Sequence, residues 1–154
     1  MPGHDRITPQ GKDFFNQIEE LCKLQVRVGF QQGAASDEET GADIADIAAW
    51  NELGTARSPP RPFLRQSVEN NESQIKAMCE KQLTWIVKGE ATARDALQAL
   101  GVMQKALIQK TISSGSFEPN APRTIEKKGS DKPLIDTRRM RQSVNFVIQE
   151  KGSD

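Results

Sequence analysis

Apolar positions recur along the chain in two periods. Residues 8–22 place Phe14, Ile18, Leu21 and Cys22 on one helical face, with Thr8 set to cap and Pro9 at the first helical position; Gly11 weakens this helix. Residues 24–31 switch to a period of two. Val26, Val28 and Phe30 face one way and Gln25, Arg27 and Gln31 the other, the pattern of a half-buried strand. A loop rich in Gly, Ala, Ser, Asp and Glu follows over 32–42. Residues 43–53 then read as a short helix, with Asp43 as cap, Ile44, Ile47 and Ala48 inward, and Gly54 as the stop. Residues 55–61 cannot be helical, because Pro59, Pro60 and Pro62 hold φ near about −65°. The spacing next predicts one long helix over 62–88, with Leu64, Val68, Ile75, Met78, Cys79, Leu83 and Ile86 on its inner face and Gly89 ending it. Thr92 and Asp95 have the spacing of a capping box. The helix they open runs to about Ile112, with Ala96, Leu97, Leu100, Leu107 and Ile108 inward. The link between these two helices is short, so they pack antiparallel.

Residues 113–134 are polar and broken by Pro119, Pro122, Gly129 and Pro133. A loop of this length binds something or is disordered. Residues 136–142 suit one turn of helix, and 143–149 alternate again, with Val144, Phe146 and Ile148 on one face. The expected fold class is therefore α+β: a small, mostly antiparallel sheet packed against several α-helices, including one long helical hairpin. The length, 154 residues, suits a single domain over 1–154. If the two distant strands pair, the sheet closes that domain.

Composition narrows the function. Lys plus Arg and Asp plus Glu number 21 each, which lacks the basic excess of a dedicated nucleic-acid binder. Aromatic residues are scarce and Tyr is absent, so the core rests on Leu, Ile, Val, Ala and Met, with part of the stability expected from neighbours in an assembly. The first ten residues are polar, and no run of about 18 apolar residues exists, so no membrane partner is expected. Cys22 and Cys79 fall at apolar helical positions and read as buried, reduced thiols of a cytosolic protein.

Candidate chemistry is thin. His4 is the only histidine and lies in the polar N-terminus. No Cys or His spacing suits zinc, and no Gly-rich loop follows a strand as a phosphate cradle does, so neither cofactor nor metal is expected. Leu134-Ile135-Asp136-Thr137 resembles the start of an aspartic-protease loop, but that loop needs Gly next and this chain has Arg138. Asp136 reads instead as a helix cap, and the chain as not an enzyme. Basic residues gather at Arg123, Lys127 and Lys128, and again at Arg138, Arg139 and Arg141. Phosphate contact is one reading of these groups; a solvated loop or a protein interface is preferred, since no aromatics interleave with them. The most informative stretch is 54–65. A pre-set extended segment loses little entropy on binding. Trp50, Arg57, Pro59, Arg61, Phe63 and Arg65, with Arg138, Arg139 and Arg141, are the candidate interface residues, since Arg and aromatics are frequent anchors. An ordinary loop with Phe63 and Leu64 tucked into the core weighs equally.

Residues 48–70, AAWNELGTARSPPRPFLRQSVEN, resemble the signature of tail-completion or head–tail joining (neck) proteins of long-tailed bacteriophages. That signature has an aromatic residue, a Glu-apolar-Gly-Thr step, then Pro-x-Arg-Pro-Phe-Leu-Arg. Trp50, Glu52, Leu53, Gly54, Thr55, Pro59, Arg61, Pro62, Phe63, Leu64 and Arg65 stand at its positions. Residues 117–146 resemble a second family pattern, in which Pro-Leu-Ile-Asp-Thr-Gly precedes Met or Leu; Arg138 replaces that Gly. The resemblance implies a structural virion protein of a phage or prophage, assembled in the bacterial cytoplasm and joining the head connector to the tail. A tail terminator capping the tube is the alternative, and a nucleic-acid-binding module the remote one. The implied partners are other copies in a ring, connector or adaptor proteins, tail-tube or terminator proteins, and passive contact with DNA in the channel.

Overall fold

The computed structural model describes residues 7–38, 40–114 and 138–153. Helix α1 spans Pro9–Lys23. The Thr8 hydroxyl accepts the Gly11 N–H at 3.0 Å, and Pro9 occupies a position where a missing N–H costs nothing. The chain passes directly from α1 into strand β1, Leu24–Gly29, which pairs antiparallel with β2, Asn145–Glu150. The register runs from Leu24 opposite Glu150 to Gly29 opposite Asn145. These two strands form the sheet, so residues from opposite ends of the sequence are held together.

Leu24, Val26 and Val28 share a face with Ile148 and Phe146. That face meets α5, Ala93–Ser114, which also touches α1, α3 (Phe63–Glu69), α4 (Glu72–Val87) and the last helix. Close approach of sheet and helix requires Gly101. A Cβ there would lie 2.7 Å from Cγ and 2.8 Å from Cε2 of the Phe146 ring. The start of α5 is a reciprocal capping box: the Asp95 N–H donates to Thr92 Oγ1 at 3.1 Å, and the Thr92 N–H donates to Asp95 Oδ2 at 2.9 Å. Gln17 of α1 accepts the Ala93 N–H at 2.7 Å and ties α1 to the same end.

Helices α2, Ile44–Leu53, and α3, Phe63–Glu69, complete the core with α6, Arg138–Ser143. Ile44, Ala48, Phe63, Ile108, Ile112, Met140 and Val144 form one buried cluster, with Val28, Phe30, Ala35, Ile47 and Leu64 packed against it. The Phe30 and Phe63 rings meet edge to face at 5.9 Å, a favoured aromatic geometry.

The long helix expected over 62–88 is two helices, α3 and α4, Glu72–Val87. The break falls at Asn70 and Asn71, where Asn71 leaves helical geometry at φ −129° and ψ 20°. The Asn71 side chain donates to the Ser67 carbonyl at 2.8 Å. Asn competes for its own backbone in this way, which makes paired Asn a poor helix interior. The inner face is narrower than expected. Ile86 is buried and Ile75 and Met78 half-buried, as their spacing predicts, but Val68, Cys79 and Leu83 are exposed and Gln82 is buried. Cys22 is exposed as well, so neither thiol is the buried residue its spacing suggested. Strand β1 stops at Gly29 and not at 31, and β2 begins at Asn145, with Val144 buried just before it. The turn of helix expected over 136–142 is observed as Arg138–Ser143. His4, Arg123, Lys127, Lys128, Asp136 and most of the 113–134 loop lie outside the described residues.

Gly101→Val places branched carbons where the Phe146 ring now lies, in a core with no slack. Overpacking of this kind costs roughly 1–3 kcal/mol. Urea denaturation of the variant is expected to show that loss; an unchanged midpoint would mean the helix and sheet are not in close contact.

Candidate functional site: the α2–α3 clasp

The segment from α2 to α3 folds on itself. Gly54 ends α2 at φ +77°, a conformation that disfavours residues with a Cβ. A Cβ at Gly54 would also lie 2.8 Å from the Pro60 nitrogen. Thr55 and Ser58 then close a small turn: the Thr55 N–H donates to the Ser58 carbonyl at 2.9 Å, and the Ser58 N–H returns to the Thr55 carbonyl at 3.3 Å. The Arg61 N–H donates to the Asn51 carbonyl at 2.6 Å, which fastens the proline run to the end of α2.

Helix α3 starts after Pro62, which supplies no side-chain cap. Glu52, on α2, supplies it instead. Its Oε2 accepts the Leu64 N–H at 2.8 Å and its Oε1 the Arg65 N–H at 3.1 Å. A carboxylate at a helix start satisfies orphan donors and complements the positive end of the helix dipole. Glu52, Gly54, Arg61, Pro62, Phe63 and Leu64 thus have architectural roles. All six stand at positions of the first pattern on which the sequence resemblance rests.

The candidate interface residues separate accordingly. Phe63 is 0% exposed and belongs to the core, which corrects its assignment to an interface. Its neighbour Pro62 fixes the entry to α3, so the ring points inward against Phe30. Arg61 is half-buried, and its Nε is buried with no hydrogen-bond partner among the described residues. Arg57 and Pro59 are exposed, as is Arg65, whose guanidinium lies 3.8 Å from Glu69 one turn on. Trp50 is 52% exposed, and Leu53 is 78% exposed. Leu53 was missed in the sequence. Its signal was present: at about 100° per residue, Trp50 and Leu53 fall on the side of α2 away from Ile44 and Ala48.

Arg138, Arg139 and Arg141 are exposed on α6, which touches α2. Two of the three make side-chain contacts with neighbouring elements. Arg139 pairs with Glu38, and the Arg141 guanidinium donates to Ser113 Oγ at 2.8 Å while its carbonyl accepts from Gln109 at 3.1 Å. Among the described residues, two carboxyls held below the usual carboxylate range are also structural. Asp43 is lowered by the N–H groups of Gly33 and then Ala45, which it accepts at 2.7 and 2.9 Å. Asp95 is lowered by the backbone and then the side chain of Thr92. A lowered folded-state pKa means that each cap is fully formed above the unfolded value and is lost as pH falls through the folded one. Among the described residues, no group of three or more His, Cys, Asp or Glu is placed to hold a metal, and no helix is long and apolar enough to cross a membrane.

No protein-family model matches the chain, and no solved structure matches it. A stretch of 90 residues, 58% of this chain, is 31% identical to Spindle-defective protein 2 of Caenorhabditis elegans and covers 11% of that protein. The chain therefore spans about a tenth of that relative's length. This finding overturns the expected role in phage head–tail joining, and with it the tail-terminator alternative: the similarity runs to a protein named for a spindle defect.

Loss of the distant cap should be measurable. Glu52→Ala removes both acceptors at the start of α3 and is expected to cost about 1 kcal/mol. Gly54→Ala adds a Cβ at positive φ against Pro60 and is expected to cost roughly 1–3 kcal/mol. Chemical denaturation reads both; two variants with wild-type stability would show that the clasp does not form.

Proposed function

We propose that this chain is a non-catalytic protein-interaction module that associates with copies of itself through the α2 face beside the clasp. The observation that carries this reading is the exposure of Trp50 and Leu53 side by side on α2. Large apolar groups held on a rigid base lose little entropy when they dock. Trp and Arg dominate the energetics of known interfaces, and Arg57 and Arg65 lie on the adjoining clasp and α3. The balance of 21 acidic and 21 basic residues leaves no net repulsion between copies. Glu52, Asp43 and Asp95 each hold backbone N–H groups at helix starts, which gives these carboxylates structural roles.

Sedimentation of the full chain over a range of concentrations tests this. The wild type is expected to exceed the monomer mass. Leu53→Glu is expected to weaken association by about tenfold or more, equivalent to ~1.4 kcal/mol, and Trp50→Ala by ~2 kcal/mol, as for an interface anchor. A monomeric wild type, or two variants that associate as the wild type does, would overturn the proposal.

A further inference from the structure

The strand β2 has one edge bonded to β1 and another that no described strand covers. The Lys151 N–H donates to the Lys23 carbonyl at 2.8 Å, which makes residues 23 and 151 a hydrogen-bonded pair. Antiparallel pairs alternate, so 25 with 149, 27 with 147 and 29 with 145 are also hydrogen-bonded pairs. Phe146 and Ile148 therefore point their N–H and carbonyl groups outward, toward the edge that no described strand covers.

Proteins blunt such edges with charge, Pro or Gly. Within β2 the charged residue is the terminal Glu150; the Asn-Phe-Val-Ile-Gln run before it carries no charge, Pro or Gly, in a chain where 27% of residues are charged. The other edge is different, because β1 carries Arg27 in its middle and ends at Gly29. Val147 adds a second sign. It lies on the sheet face away from α5 and is 49% exposed.

We infer that β2 is a dimerisation edge, pairing antiparallel with β2 of a second copy to make a continuous four-stranded sheet. The sequence of β2 is self-complementary in the register centred on Val147. With Val147 on the two-fold axis, Phe146 lies opposite Ile148 of the second copy, Asn145 opposite Gln149, and Val147 opposite itself. Phe146 and Ile148 then form hydrogen-bonded pairs, as their outward amides require, and apolar residues meet apolar ones on the inner face. Shifting the axis to Ile148 would set Phe146 against Glu150. In the favoured register the two Val147 residues form a non-hydrogen-bonded pair, in which side chains approach most closely. The isologous contact uses the same strand twice and so closes at two copies.

This edge is separate from the α2 face, so the test is made in a Trp50→Ala, Leu53→Glu background. That background removes the α2 contact and lets the two proposals fail independently. In it, the full chain is expected to sediment at twice its monomer mass. Val147→Lys and Val147→Glu, each alone, are expected to be monomeric, since like charges then face across the axis. Mixed one to one, they are expected to restore the dimer mass. Hydrogen exchange on the chain with Val147 intact gives a second reading: protection of the Phe146 and Ile148 amides rises with protein concentration. A chain that stays monomeric, a dimer that survives Val147→Lys, a mixture that stays monomeric, or amide protection independent of concentration would each overturn the inference.

Discussion

The structure depends on the close seating of the two-stranded sheet on α5. A two-stranded sheet alone is marginal in water. It persists here because one face is covered by the longest helix of the described residues, with Gly101 leaving room for the Phe146 ring. That contact joins β1, which follows α1, to β2, which follows α6. The same helix buries Ala93, Ala96 and Leu97 near its start and Leu107, Ile108 and Ile112 toward its end. The first group lies in the part anchored by Gln17 of α1; Ile108 and Ile112 belong to the cluster shared with α2, α3 and α6.

Against this frame the clasp is a local device with a distant cap. Helix α3 has no N-cap side chain of its own, and Glu52 reaches it from α2 across the proline turn. The consequence is a fixed angle between α2 and α3, which buries Phe63 and leaves Trp50 and Leu53 at the surface. Order in the clasp and exposure on α2 are thus two results of one arrangement. The interaction role proposed for the face follows from that rigidity, since docking then requires little further ordering.

Much of this was legible in the sequence where period and caps agree. The strands and the Thr8, Asp43 and Thr92–Asp95 caps are carried by local signals, whereas the pairing of the two distant strands was legible only as a condition, because it is a tertiary contact. Other features were hidden because tertiary contacts decide them. The apolar stripe from Leu64 to Ile86 looked continuous, yet Asn70 and Asn71 divide it, and α4 buries Gln82 while Cys79 and Leu83 are exposed. The Arg-Pro-Phe-Leu run could be read as a contact surface or as packing; burial of Phe63 shows that its aromatic member packs, while exposed Arg57 and Pro59 remain available. Glu52 gave no sign of its role, because its partners are twelve and thirteen residues away.

Native-state hydrogen exchange under increasing denaturant tests the dependence on the sheet–helix contact most directly. If closure of β1 and β2 on α5 holds the fold, the ladder amides of Arg27 and Val147 should exchange with the same, highest opening free energy as those of Leu107 and Ile108, in one cooperative unit. Ladder amides that open well before those of α5 would show that the sheet is an appendage, and would contradict this account.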